Sequence, residues 1–256
     1  MVHIGAQLYT VRSLLGTEED MQRTFEKIRE IGYTSVQLFG TAAVLEKYAK
    51  FAQAAGLRIA GILVDLPTCQ ACEQALFELC RRYELPDIGV STNPTECKTP
   101  QAYIPALNAF AEKARQAGFS FSYHNHGHEF IRQADGKTAM DHFLTGFNPD
   151  AVDFMPDTYW LHDGGCDVRH FLEQTKNRVT ILHLKDLRRT PEGHTFAEVG
   201  NGNLYFRGIL ETARACGITQ LVVEQDICDG DPLESLRQSY HNIQNLMEDM
   251  GWNNCT

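Results

Sequence analysis

The sequence predicts an α/β fold, a single-domain (β/α)8 barrel, also called a TIM barrel, that covers residues 1–256. Two observations predict it. Strand-like and helix-like segments alternate eight times along the chain, and side chains of the metal-binding type follow several of the strand-like segments. No linker or low-complexity segment interrupts the alternation, so we expect one domain.

The eight predicted strands are short, apolar and rich in β-branched residues, without strict alternation of apolar and polar side chains. This pattern is typical of parallel strands that helices cover. An open doubly wound sheet is the alternative, but no glycine-rich phosphate loop follows the first strand. The predicted strands are residues 4–8, 35–39, 58–64, 87–91, 120–125, 152–155, 179–184 and 221–224.

The segments between these strands are amphipathic and predict helices. Gly32, Gly56, Gly118 and Gly217 each follow a helical segment and precede a strand, where a left-handed residue commonly ends a helix. The predicted helices are residues 18–31, 42–55, 68–83, 100–117, 138–146, 167–176, 205–215 and 231–250.

The charge of the chain excludes some classes of function. A formal net charge of −10 and the lack of Lys and Arg runs argue against nucleic-acid binding, including an endonuclease on the same fold. No apolar stretch approaches the roughly 20 residues that span a bilayer, and the N-terminus lacks the pattern of a signal peptide. We expect a cytoplasmic protein without a membrane partner.

The eight cysteines are interpreted as small apolar residues, because several fall within or beside helix and strand patterns. Cys69 and Cys72 form the one CxxC pair of the sequence. Without a second pair at zinc-finger spacing, they are a weak indication of a metal or redox site.

Ionisable side chains stand at the ends of four predicted strands. An imidazole or a carboxylate at the end of an apolar run is costly unless it is paired. Because the carboxyl ends of barrel strands meet at one mouth, we predict a divalent metal ion there. The four segments are residues 123–126, 155–157, 182–186 and 223–224.

Two of these segments leave alternatives open. His124 and His126 are two residues apart on a strand, so they project from one face, with His126 nearer the rim. One histidine is interpreted as a ligand or base and its neighbour as a hydrogen-bonded structural group. Asp157 either binds the metal ion or caps the segment that follows it.

The other two segments are interpreted from the polarity of their strand ends. His183 alone would be interpreted as a core residue, but Lys185 and Asp186 make its strand end polar. Glu224 closes an apolar run and therefore requires a cation or a proton donor. The loop at residues 200–202 either binds a phosphate through its amides or simply precedes a helix.

These residues carry a resemblance over nearly the whole chain, from residues 4–12 to residues 223–224. The sequence resembles the xylose isomerase-like TIM-barrel superfamily of sugar phosphate isomerases and epimerases, which includes myo-inosose dehydratase and the tagatose and psicose 3-epimerases. The resemblance implies one divalent ion, commonly Mn²⁺, Mg²⁺ or Zn²⁺, held by side chains of strands five to eight. The implied ligands are His124, Asp157, His183 and Glu224.

The chain departs from the pattern of this superfamily at several positions. His124 stands where relatives have a Glu, which removes a negative charge and a candidate base, and Glu129 is the alternative source of that carboxylate. Trp160 stands where the epimerases have a His. Arg189 matches their Arg, six residues beyond the ligand His, and Gln37 replaces a Glu of the second strand.

The resemblance implies chemistry next to a carbonyl group. A divalent ion that chelates a sugar carbonyl and hydroxyl acidifies the neighbouring C–H and stabilises the enediolate. The implied enzyme is a metal-dependent sugar or sugar phosphate isomerase or epimerase. A dehydratase of keto-inositols or keto-sugars and a non-enzymatic sugar-binding protein are the alternatives. A sugar or keto-sugar is the expected partner, and a homo-oligomer is left open.

Each expected role is assigned to residues at the barrel mouth. The catalytic candidates that transfer a proton are Glu224, His126 and Glu129. The candidates for substrate binding are Lys185, Arg189, Trp160 and Gln7.

Overall fold

The computed structural model of the protein describes residues 2–252, and its centre is a sheet of eight parallel strands in the order β6-β5-β4-β3-β2-β1-β10-β7. A separate two-stranded antiparallel hairpin consists of β8 and β9. The strands are β1 His3–Gln7, β2 Ser35–Phe39, β3 Arg58–Asp65, β4 Asp87–Ser91, β5 Ser120–His124, β6 Asp153–Met155, β7 Leu182–Leu184, β8 Asp186–Thr190, β9 Gly193–Ala197 and β10 Gln220–Val223.

The two edge strands of this sheet, β6 and β7, meet through isolated parallel bridges. Phe154 pairs with Val179, and Asp157 pairs with His183. The backbone N–H of His183 donates to the carbonyl of Pro156 at 2.8 Å. These bridges close the sheet, and the prediction of a single-domain (β/α)8 barrel is confirmed.

Ten α-helices surround the strands in the part of the chain that the structure describes. Local sequence begins several of them: Thr17 with Asp20, and Thr138 with Asp141, form capping boxes at the starts of α1 and α6. The predicted helix at residues 68–83 is in fact two helices, because the backbone of Cys72 leaves helical geometry. The helices are α1 Glu18–Ile31, α2 Ala42–Ala54, α3 Leu66–Ala71, α4 Glu73–Arg82, α5 Pro100–Gln116, α6 Ala139–Gly146, α7 Thr158–Asp163, α8 Val168–Gln174, α9 Phe206–Ala215 and α10 Pro232–Asp249.

The hairpin and helix α7 are additions to the predicted elements. The hairpin follows β7 directly, and Phe196 of β9 stacks on Tyr159 of α7 with ring centroids 4.5 Å apart. Both additions lie at the carboxyl end of the barrel, where insertions between strand and helix build the functional sites of this fold.

Apolar side chains fill the barrel on both sides of the sheet. The large cluster packs strands against helices, and a small cluster contains Ala60, Met155, Ile181 and Val222. Glycines make room for this packing, since a Cβ atom on Gly89 would stand 2.6 Å from the terminal methyl group of Met155. No helix within residues 2–252 is long and apolar enough to cross a membrane.

Candidate metal centre and active site

Four side chains from four strand ends converge at the carboxyl mouth of the barrel, as the sequence predicts. One ligand atom from each lies within 4.8 Å of those of the others, and all four side chains are buried. We refer to this group as the four-residue cluster. Its members are His124 at the end of β5, Asp157 after β6, His183 in β7 and Glu224 after β10.

Asp157 is both a helix cap and a member of this cluster, so the two readings of its sequence position are compatible. Its Oδ1 accepts the backbone N–H of Trp160 at 3.1 Å and thereby begins α7. Its Oδ2 faces the cluster, 4.0 Å from Nδ1 of His183. The backbone N–H of Asp157 donates to Oδ1 of Asn125 at 3.0 Å, which fixes the carboxylate further.

The hydrogen bonds of His183 suit a cation in the cluster. Its Nε2 lies 2.6 Å from Oε1 of Gln37, and Nε2 of Gln7 donates to the same oxygen at 2.7 Å. Because this amide oxygen only accepts, His183 carries its proton on Nε2. Its Nδ1 then faces Oε2 of Glu224 at 2.9 Å. Two acceptors at this distance require a proton or a metal ion between them, so the residues fit the implied metal.

His124 supplies a second unprotonated nitrogen. Burial, together with His183 and His126, holds the pKa of His124 well below its usual range. Its Nδ1 is buried and has no hydrogen-bond partner among the described residues, as expected of a nitrogen that would bind a metal ion. The structure therefore brings His124 into the four-residue cluster and leaves Glu129 outside it.

Lys185 is the buried cation of this region. Its ammonium lies 3.0 Å from Asp157 Oδ2, 3.0 Å from Glu224 Oε2 and 2.8 Å from Asp226 Oδ1. Burial opposes the charge of Lys185, but the three carboxylates outweigh it and raise its pKa. Sequence reasoning missed Asp226, although its position two residues after Glu224 is a usable signal.

The two cluster carboxylates respond differently to burial. Burial raises the pKa of Asp157 to about 6, against the opposing effect of Lys185. Burial also acts against ionisation of Glu224, but Lys185 and His183 outweigh it and hold the pKa of Glu224 well below its usual range. Burial raises the pKa of Asp226 as well, against the opposing effect of Lys185. When all three carboxylates are ionised, they surround one ammonium, and the excess of two negative charges matches a divalent ion.

A cavity of about 530 Å³ opens beside the four-residue cluster. This size is in the range of small-molecule sites. Among the residues predicted to bind substrate, Gln7, Trp160 and Lys185 line it, whereas Arg189 is exposed on the hairpin and does not. Lining residues that sequence reasoning did not name are Tyr9, Phe39, Gly40, Thr41, Leu63, Val64, Asp65, Thr68, Ser91 and Asp226.

His126 lines the cavity next to the cluster. Its ring stacks on that of His128 at 5.3 Å and meets that of Trp160 edge-on at 5.6 Å. Burial and the charge of Lys185 lower the pKa of His126 to about 3, so its ring is neutral. A neutral imidazole in the cavity wall can accept a hydrogen bond.

Glu129 is fully buried behind His126 and does not line the cavity. It belongs to a second group of residues of the metal-binding type, with Cys97 and His128. Burial raises the pKa of Glu129 to about 7, while hydrogen bonds from Tyr123 and the amide of His126 act against this rise. Its catalytic role stays a prediction.

The loop at residues 200–202 does not offer free amides to a phosphate. The amides of Gly200 and Gly202 donate to Oδ2 of Asp186 at 2.9 and 3.0 Å. The amides of Leu187 and Leu204 donate to Oδ1 of the same carboxylate at 2.7 and 3.1 Å. The carboxylate of Asp186 therefore occupies the place that a phosphate would take.

Comparison with known proteins gives relatives of limited similarity. No protein-family profile matches the sequence. An inosose dehydratase of Geobacillus thermodenitrificans is 26% identical over 149 residues, which are 51% of this chain and 49% of that enzyme. The chain thus spans about half the length of the curated relatives it matches.

Solved structures are similar over almost the whole chain. A sugar phosphate isomerase/epimerase of Parabacteroides distasonis has a TM-score of 0.81 and 20% identity, and the match covers 95% of this chain and 98% of that one. A xylose isomerase-like TIM barrel protein of Mycobacterium smegmatis, in complex with magnesium, has a TM-score of 0.72 and 14% identity, over 97% of both chains. These likenesses confirm the fold that the sequence resemblance implies.

Proposed function

The chain has the xylose isomerase-like TIM-barrel fold, and on that premise we propose that it is a divalent-metal-dependent sugar isomerase or epimerase that acts next to a carbonyl group. The observation that carries the proposal is the convergence of four donor side chains on one buried point beside a cavity. Two imidazoles and two carboxylates suit Mn²⁺ or Zn²⁺, and Mg²⁺ less well because it prefers oxygen ligands.

When bound, such an ion would polarise a carbonyl oxygen of the substrate and stabilise the charge that develops there. Glu224 is the candidate base, because its side chain lines the cavity and because Lys185 and His183 keep its carboxylate ionised. His126 is the second candidate for proton transfer, with a neutral ring in the cavity wall. Together they would move a proton between two positions of the substrate.

The remaining cavity residues would bind and orient the sugar. Trp160 offers an aromatic face, and the side-chain amide of Gln7 offers an N–H that can reach hydroxyl or carbonyl oxygens. Lys185 already contacts three carboxylates, so it is poorly placed to neutralise a further anion. Contact between Arg189 and a substrate stays a prediction.

A dehydratase of keto-inositols or keto-sugars is the second candidate function. The observation that favours it is that the curated relatives at 25% to 27% identity are named inosose dehydratases. Both reactions begin with removal of the proton beside the carbonyl group. They differ in whether that proton returns to carbon or a neighbouring hydroxyl group leaves as water.

The test is a panel of keto-sugars and keto-inositols, incubated in heavy water with protein loaded with Mn²⁺ or Zn²⁺. An isomerase or epimerase incorporates deuterium and changes neither formula nor mass otherwise, whereas a dehydratase releases one water. We expect Glu224→Gln to abolish both, and the matched exposed variant Glu78→Gln to retain full activity.

The control outcomes separate the alternatives. Binding of sugars without metal binding or turnover would overturn the proposal in favour of a non-enzymatic sugar-binding protein. Turnover without deuterium incorporation, combined with an active Glu224→Gln variant, would rule out proton abstraction by Glu224.

A further inference from the structure

A hydrogen-bonded network lies directly behind His126, with the hydroxyl of Thr92 at its centre. We call it the Thr92 network. Thr92 follows β4 and is 5% exposed. The partners of its Oγ1 are Cys97 Sγ at 3.0 Å, Tyr123 Oη at 2.7 Å, His128 Nε2 at 3.3 Å and Glu129 Oε1 at 3.2 Å.

The network contains Cys97, His128 and Glu129, whose side chains are of types that bind transition metals. However, the hydroxyl of Thr92 is within hydrogen-bond distance of all three, at the place that a shared ion would need. Burial also raises the pKa of Cys97 to about 12, so its thiol stays protonated. This group is a hydrogen-bonded core and not a second metal centre.

The network holds the backbone of His126. Both oxygens of Glu129 accept the backbone N–H of His126, each at 3.0 Å, and the hydroxyl of Tyr123 donates to Oε1 at 2.7 Å. A buried carboxylate with these donors is locked in one orientation. It therefore fixes the chain between His124, a member of the four-residue cluster, and the loop that follows.

The network also holds the ring of His126. The rings of His126 and His128 are stacked, with an interplanar angle of 14°. Nε2 of His128 lies beside both the hydroxyl of Thr92 and Oε2 of Glu129, at 3.3 and 3.6 Å. Residues that do not line the cavity thus hold both the backbone and the ring of His126.

We infer that Glu129, with Thr92 and Tyr123, is a positioning residue for His126: its carboxylate serves as a hydrogen-bond acceptor and does not take a proton from the substrate. Its effect on turnover rests on the proposed function. Its effect on the His126 amide does not, because the protein supplies both partners of that bond.

The decisive pair of variants is Glu129→Gln and Glu129→Ala. Gln keeps an acceptor oxygen for the amide of His126 but cannot act as a base, whereas Ala removes the acceptor. In the metal-loaded enzyme we expect Gln to retain kcat within about threefold, and Ala to lose about 100-fold, as for misplacement of a reacting group by about 1 Å. A loss in Glu129→Gln as large as in Glu224→Gln would overturn the inference and make Glu129 a base.

A second measurement needs no activity. In metal-free protein, amide hydrogen exchange of His126 is compared by NMR in wild type, Glu129→Gln, Glu129→Ala and the pair Thr92→Ser and Thr92→Val. We expect Thr92→Ser and Glu129→Gln to keep the protection of wild type. Thr92→Val and Glu129→Ala should lower the protection factor of the His126 amide at least about tenfold, which is a decrease of about 1.4 kcal/mol in the free energy of opening. The Gln and Ser variants keep the test valid if Glu129→Ala does not fold.

The two arms separate the possible failures. Unchanged protection of the His126 amide in both Glu129→Ala and Thr92→Val, in folded protein, would overturn the inference whatever the enzyme does. Loss of protection as expected, with no turnover by wild type on any keto-sugar or keto-inositol, would support the positioning role and contradict the proposed function alone.

Discussion

Single carboxylates in this barrel do two tasks with their two oxygens. Asp157 uses Oδ1 to cap α7 and Oδ2 to face the four-residue cluster. Glu129 accepts the amide of His126 with both oxygens and the hydroxyl of Tyr123 with Oε1. Some of these tasks need only an oxygen that accepts a hydrogen bond, whereas others need the negative charge. A substitution of the carboxylate by an amide keeps the acceptor and removes the charge, so it separates the structural task from the chemical one.

Asp157→Asn is expected to separate capping from metal binding. The amide oxygen can still accept the N–H of Trp160, and Lys185 keeps Glu224 and Asp226 as partners, so stability should stay within about 1 kcal/mol of wild type. Loss of the charged ligand should weaken Mn²⁺ or Zn²⁺ binding by at least about 10-fold to 100-fold, the loss that is typical of residues that only support a ligand. Isothermal titration and urea unfolding measure the two effects.

Asp157→Ala is the matched variant and should lose the cap as well, with about 1 kcal/mol of additional destabilisation. Unchanged metal affinity in both variants would contradict the assignment of Asp157 as a ligand.

Asp87 should make stability depend on pH for a reason unrelated to the metal centre. Burial raises its pKa to about 7, although the hydroxyl of Ser122 donates to it at 2.6 Å. The folded protein therefore holds this proton between pH 4 and 7, where the unfolded chain has lost it. The stability that this group contributes is present at low pH and is lost as pH rises through the folded pKa.

Asp87→Asn should remove this dependence. Relative to the variant, wild type should lose about 2 kcal/mol of unfolding free energy between pH 5 and pH 7, since one pKa unit is about 1.4 kcal/mol. Urea unfolding of both proteins at the two pH values measures it. A constant difference between them would show that Asp87 titrates normally.

The four residues of the cluster could be predicted from the sequence, but the contacts around them could not. His124, Asp157, His183 and Glu224 stand at the ends of apolar strands, and the barrel brings such ends together. The burial of Glu129 away from the cavity depends on contacts with Thr92, which is 37 residues away along the chain. No local pattern encodes a contact of that kind.

Among the elements, the β8–β9 hairpin shows how tertiary contacts override weak local signals. Residues 186–197 are mostly polar and lack the apolar alternation of a predicted strand. Their structure depends instead on the carboxylate of Asp186, which accepts four amides, three of them from residues 200–204, and on Phe196 against Tyr159. The helices were predicted more closely, because caps and amphipathic spacing are local.

Gly202→Ala is expected to destabilise this region. A Cβ atom at Gly202 would overlap the carboxylate of Asp186 and the carbonyl of Leu187. We expect a loss of about 1–3 kcal/mol in the free energy of unfolding, as for overpacked sites. Gly230 has open space around it, so Gly230→Ala should stay within about 0.5 kcal/mol of wild type. Equal effects in the two variants would mean that the Asp186 contacts do not constrain residue 202.

At the scale of the whole molecule, the barrel has one weakly joined seam, and the four-residue cluster lies across it. β6 and β7 meet only through isolated bridges within the described residues, and one of these bridges pairs Asp157 with His183. A metal ion bound by both residues would therefore hold together β6 and β7, the two edge strands that the backbone joins only through isolated bridges. The other two members attach the neighbouring strands β5 and β10.

Metal removal should consequently loosen this seam before the rest of the barrel. A metal ion at 100 times its Kd stabilises the folded state by about 2.7 kcal/mol. On chelation, amide exchange should rise most at His183 and Thr180, which donate across the seam to Pro156 and Phe154, and least at Arg58, which donates between β3 and the segment before β2.

Hydrogen exchange measured by mass spectrometry, with and without EDTA, tests this order. Asp157→Ala is the control, since a protein that cannot hold the ion should show no metal-dependent change at any of the three amides. Equal deprotection of the seam and of Arg58 would mean that the ion stabilises only the global folded state. No change at His183 and Thr180 in wild type would place the metal ion away from the junction of β6 and β7.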